Sequence, residues 1–206
     1  MSHPLMYVLG KTQEDKFPLI LVIGREPNYD GQLDDSIEIM DNKEFGSMKS
    51  GVWVTAYTQI AKQYCGDKAT AGDLKKICFE RDASPIVFSN ALPMGIPHYV
   101  KNKEKIRNEL SEKDICDHIA KIFEYPIENP IAGRFGLVIQ YGAYGPGPLE
   151  RAAELIKQEC KRRSIPYCSS PFFWNGHSKK IQECLSEDRD IIRNIFWKFN
   201  SVSDSC

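Results

Sequence analysis

The chain has 206 residues, 42% of them hydrophobic, enough to enclose one core and short for two independent ones, so a single domain is expected, with 1–16 and 200–206 at its periphery. With 27 Lys and Arg against 28 Asp and Glu, the formal net charge is -1, which excludes a global field that would draw the protein to nucleic acid or an anionic membrane; any such contact must be local. No window reaches the ~20 apolar residues of a membrane span, the start "MSHPLMYVLG" is no secretory leader, and a soluble intracellular protein is expected, cytoplasmic or, in a eukaryote, nuclear.

In chain order, residues 18–23, "PLILVI", form the first expected strand: an apolar run without alternation, as both faces of a covered sheet require. A helix follows over 50–64 with Trp53, Tyr57 and Ile60 on one face. The second strand spans 85–89. Ser111 then opens a helix over 111–123, with Asp114 three residues on and Ile115, Ile119 and Ile122 at helical spacing. Residues 135–140 are the third strand. An amphipathic helix over 149–163 ends in Lys161, Arg162 and Arg163, cations suited to the negative end of a helix. Residues 165–169 are the fourth strand, identified mainly by position, and 179–199 read as one last helical stretch.

Strands alternating with helices predict an α/β fold, a three-layer α/β/α sandwich with a short, mainly parallel four-stranded central sheet. Ligands of such sheets sit beyond the carboxyl ends of the strands. Each unusual polar segment here follows a strand directly: "GREPN", "NALPMGIPH", "YGAYGPGP" and "SPFFWNGHS". Four loops would therefore meet at one rim.

Each segment has a plain reading and a functional one. Glu26, between Arg25 and a proline that stiffens the backbone, can hold a water or stabilise a cation, or simply pair with Arg25 in a turn. Asn90 offers a carboxamide that donates and accepts, fit for an amide-like base edge, or it bonds its own backbone locally. Phe172, Phe173 and Trp174 give a stacking surface if exposed and core if not. His98 and His177 are acids or proton donors in one reading and structural in the other. "YGAYGPGPLE" has the look of a phosphate cradle, yet it matches neither GxxxxGK[ST] nor a full GxGxxG, and Pro146 and Pro148 remove amides that a cradle needs. The 7 cysteines show no CxxC spacing, which argues for reduced, buried thiols and against a zinc or iron-sulfur site.

Taken together, "GREPN", "VWVTAYTQI", "IVFSNALP", "LVIQYGAYG" and "IPYCSSPFFWNGHS" make residues 18 to 180 resemble the uracil-DNA glycosylase superfamily, one branch of which reads GQDPY at its first motif. The resemblance implies a divergent member whose partner is DNA carrying an altered base, and which flips that base and hydrolyses its bond to the sugar with no metal and no cofactor. It places Glu26 as the catalytic carboxylate and His177 as a second catalytic candidate. Arg25, Asn28 and Asn90 become base-binding residues. Ser169, Ser170 and Pro171 would touch a phosphate, and Phe172, Phe173, Trp174 and Asn175 would fill the vacated stack. Three positions depart from the family. Glu26 replaces an Asp, Asn28 stands where one branch has a Tyr, and the leading His of the fourth motif falls on Cys168. Lys101, Lys103, Lys105 and Arg107 offer a basic patch near Asn90. The alternative function is a non-catalytic version of the same fold that binds a nucleobase, nucleotide or protein partner.

Overall fold

The computed structural model describes residues 4–14, 16–28, 30–32, 36–48, 51–124, 131–142, 147–171 and 175–202. The strands are β1 (Met6–Leu9), β2 (Leu19–Gly24), β3 (Gly31–Gln32), β4 (Ile37–Met40), β5 (Ile86–Asn90), β6 (Met94–Gly95), β7 (Phe135–Tyr141) and β8 (Tyr167–Ser170). The helices are α1 (Asn42–Ser47), α2 (Val52–Cys65), α3 (Ala71–Arg81), α4 (Lys103–Arg107), α5 (Glu112–Glu124), α6 (Pro148–Arg162), α7 (Ser178–Ser186) and α8 (Arg189–Ser201).

The main sheet has six strands in the order β4-β1-β5-β2-β7-β8, so the expected four-stranded sheet is extended by two strands beyond β5. The four anticipated strands lie side by side and parallel. All six residues of β2 are buried, which is why "LILVIG" carries no alternation. Residues 6–9, for which no element was expected, form β1, antiparallel to β5 and parallel to β4. Short four-residue strands of this kind give little periodic signal.

Chain order and right-handed crossovers dictate the layers. From β2 the chain moves to β5 on one side, then crosses back over β2 to β7 and onward to β8. The first move puts α2 and α3 on one face, and the two reversed moves put α5 and α6 on the other. Packing agrees. Trp53 of α2 stacks on Phe88 of β5 with ring centroids 4.7 Å apart, whereas Phe123 of α5 meets Phe135 of β7 edge-on at 6.1 Å. A Cβ on the next residue, Gly136, would stand 3.3 Å from Ile195 of α8, so α8 returns to the α2 side. The result is an α/β/α sandwich around a mostly parallel sheet.

The helical stretch expected over 179–199 is two helices, α7 and α8, broken at Glu187 and Asp188. The cap expected at Ser111 is present in both directions: the Ser111 amide and hydroxyl donate to Asp114 at 3.1 and 2.6 Å, and the Asp114 amide donates to Ser111 Oγ at 3.1 Å. No helix among the described residues is long and apolar enough to cross a membrane.

Candidate functional site

Because β2, β5, β7 and β8 are parallel, their carboxyl ends share one edge of the sandwich. The exits of β2 and β5 are joined through their main chains. The amides of Ala91, Leu92 and Ile96 donate to the carbonyls of Gly24, Arg25 and Pro27 at 3.0, 3.0 and 2.9 Å. A two-strand ladder, Gly31 opposite Gly95 and Gln32 opposite Met94, extends the seam outward.

Glu26 stands on this seam, and its side chain is only 7% exposed. Its principal partner is Arg107 on α4. Arg107 Nη2 donates to Oε1 at 2.6 Å and Nε donates to Oε2 at 3.3 Å, a two-pronged pair that fixes the plane of the carboxylate. Arg25, the neighbour expected to pair with Glu26, approaches only to 3.8 Å through Nε. Arg107 is therefore committed to the site, which corrects its assignment to a surface basic patch. Lys103, on the same helix, donates to the Ile96 carbonyl at 3.3 Å, while Lys101 and Lys105 remain exposed.

Asn90 is the residue in register with Gly24 on the adjacent strand. Its main-chain oxygen accepts from His118 Nε2 of α5 at 2.7 Å; a carbonyl can only accept, so Nε2 carries the proton. The Asn90 carboxamide makes no hydrogen bond among the described residues. The local-turn reading of Asn90 therefore finds no support. A Cβ placed on Gly24 would lie 2.6 Å from the Tyr141 hydroxyl and 3.0 Å from Asn90 Oδ1, so both side chains close over the glycine. Burial, reinforced by the nearby Glu26 carboxylate, holds the Tyr141 hydroxyl well above its usual pKa and keeps it protonated. Burial lowers the pKa of Arg25; Glu26 opposes that shift and Arg107 adds to it.

The remaining expected residues are more scattered. Asn28 is exposed beyond the seam. Ser170 is fully buried, and its hydroxyl donates to the Pro171 carbonyl at 3.2 Å. Ser169 faces a cleft of about 230 Å³ shared with Cys168, Glu183, Glu187 and Asp188, whose carboxylates would repel a phosphate. Pro171 is half-buried, and His177 closes a short turn at the start of α7, beside Ser178, whose hydroxyl accepts from Gln59 of α2 at 3.3 Å. His98 is exposed with its ring against Tyr99. Phe172, Phe173 and Trp174, with 143–146 of the glycine-rich loop, lie outside the described residues, as does the side chain of Asn175.

Cys168, where the resemblance would have a His, is buried, and burial pushes its thiol up to about 12. It should be inert: in native protein treated with iodoacetamide at pH 8, peptide mass spectrometry should find exposed Cys65 modified well before buried Cys78, Cys160 or Cys168. Early labelling of Cys168 would contradict the packing.

Sequence reasoning named Glu26 and Asn90 but missed His118, Tyr141 and the role of Arg107. His118 did leave a trace, a polar residue on the apolar stripe of Ile115, Ile119 and Ile122. Among the described residues, no group of His, Cys, Asp and Glu side chains is arranged to hold a metal ion. No protein-family model matches the chain, and no curated protein matches it.

Proposed function

We propose that the protein is a divergent member of the uracil-DNA glycosylase superfamily that hydrolyses the N-glycosidic bond of a deaminated or damaged base in DNA. The observation that carries the reading is the pairing of two neighbouring strand exits. Glu26 follows β2, and Asn90 ends β5 directly opposite Gly24, its carboxamide without a hydrogen bond among the described residues. Four parallel strands in the order β5-β2-β7-β8, with their carboxyl ends on one edge, support it further. In this reading Asn90 takes the donor and acceptor edge of the extruded base. Glu26, held flat by Arg107, faces the sugar and stabilises positive charge at C1′ as the bond to the base lengthens.

The test is strand scission by alkali after incubation with single- and double-stranded oligonucleotides carrying uracil, hypoxanthine or xanthine. Wild-type protein should cut at one or more of these bases, and Glu26→Gln should slow the reaction by about 10²–10³-fold. Scission that survives Glu26→Gln unchanged would remove the carboxylate from the mechanism.

One observation favours a second reading, a non-catalytic fold that binds a nucleobase, nucleotide or protein partner: both oxygens of Glu26 are already occupied by Arg107. In that case no base is released from any substrate, and free bases or nucleotides bind with an affinity that depends on Asn90.

A further inference from the structure

Among the described residues, the charges around Glu26 do not balance. Two guanidiniums, Arg25 and Arg107, surround one carboxylate, and both oxygens of that carboxylate are taken by Arg107. The Arg25 side chain makes no hydrogen bond among the described residues; its Nε is buried without an acceptor, and the nearest carboxylate oxygen is 3.8 Å away. A buried donor left unpaired is costly and calls for an acceptor. The complement missing from the site is an anion. The Asn90 carboxamide, on the adjoining exit, is also unpartnered and asks for an amide-like edge.

One class of ligand satisfies both groups: an oxo-substituted nucleobase that carries negative charge. We infer that Arg25 is the anion subsite for the departing base, a role that rests on the glycosylase reading above. When the C1′–N bond breaks, its electron pair passes to the base nitrogen and spreads through the ring, onto the adjacent carbonyl oxygen in a pyrimidine and onto the ring nitrogens and oxo group in a purine, where the Arg25 guanidinium meets the charge. The oxygen of a water molecule bonds to C1′ and gives up a proton to solvent, and the base takes a proton from solvent as it leaves. Nucleoside and water become a sugar with a 1′-hydroxyl and a free base. Cys168, at the position of the fourth motif's leading His, is a buried, protonated thiol and supplies no positive charge there. Arg25 itself is half-buried, its side chain 30% exposed, enough shelter to strengthen its field while leaving its tip open.

The experiment compares wild type, Arg25→Gln and Arg25→Lys on oligonucleotides whose target bases differ in N–H acidity, such as 5-fluorouracil, uracil and hypoxanthine, with thermal melts to verify folding. Arg25→Gln should lower kcat by about 10²–10³-fold, most for the least acidic base, with KM changed less than about threefold. Arg25→Lys, which keeps the charge, should recover part of the rate. Rates in Arg25→Gln that match wild type, or that fall by one common factor for every base, would overturn the subsite and leave the roles of Glu26 and Asn90 standing. Wild-type protein idle on every base would overturn both.

Discussion

Replacing Arg107 by alanine should lower the stability of the fold by about 3 kcal/mol, because it strands a carboxylate that is shielded from water. Glu26 is 7% exposed and Arg107 12%, so neither charge can recover its hydration without opening the seam. Arg25 remains close enough to blunt the loss and too far to replace the two hydrogen bonds. Arg107→Lys should fall between wild type and alanine, since an ammonium keeps the charge but cannot reproduce the fork. Urea unfolding of Arg107→Ala, Glu26→Ala and the double variant forms a complete cycle. The double variant should be more stable than the summed single losses predict by about 2 kcal/mol. Strict additivity would mean that the pair, however short in geometry, contributes nothing to folding.

Gly24→Ala should disable the site while leaving most of the fold intact. The new methyl carbon would sit 2.6 Å from the Tyr141 hydroxyl and 3.0 Å from Asn90 Oδ1. Tyr141 is 6% exposed and at the end of a central strand, so its ring has little room to retreat. Crowding of this kind costs about 1–3 kcal/mol, and the softer side chain, Asn90, should move furthest. On the proposed reading, affinity for the base edge assigned to Asn90 should then fall by about tenfold or more. Adding Tyr141→Phe to Gly24→Ala removes the closest contact and should restore part of the stability. A Gly24→Ala protein with unchanged melting and unchanged base affinity would show that the contacts over Gly24 are immaterial.

How much of this was legible in the sequence depends on what each segment has to bury. β2, β5 and β7 announce themselves because each is enclosed on both faces, and a run such as "LILVIG" has no other comfortable environment. β4 gives no such signal: Ile39 is half exposed and Glu38 is exposed on a sheet edge, so "IEIM" reads as ordinary surface. α3 was missed although Thr70 and Asp73 cap it reciprocally, since its inward positions are Ala71, Leu74, Lys75 and Cys78, a stripe that includes a lysine. Lys75 reaches through to the Met48 carbonyl, a use of a buried amine that sequence spacing does not announce.

The site follows the same logic. Glu26 stands two residues beyond β2 and Asn90 ends β5, so locating the strands located them. Arg107 belongs to a five-residue helix far along the chain, and only the return of the 96–107 segment over the β2 exit turns it from a surface cation into the carboxylate's clamp. Ser169 and Ser170 show the opposite outcome. Alternation along β8 sends one hydroxyl into an acidic cleft and the other into the interior, although adjacent positions looked equally available for a phosphate.

The stitched exits of β2 and β5 have a consequence for how selectivity could change. Hydrogen bonds from Ala91, Leu92 and Ile96, with the ladder beyond them, make the acid-bearing loop and the amide-bearing loop one mechanical piece. Lengthening either loop alone would slide its partner out of register, so new specificities at this rim are most accessible through side-chain exchange at fixed backbone. Asn28, exposed and with a side chain that takes no part in the stitching, is the position where such exchange meets the least resistance.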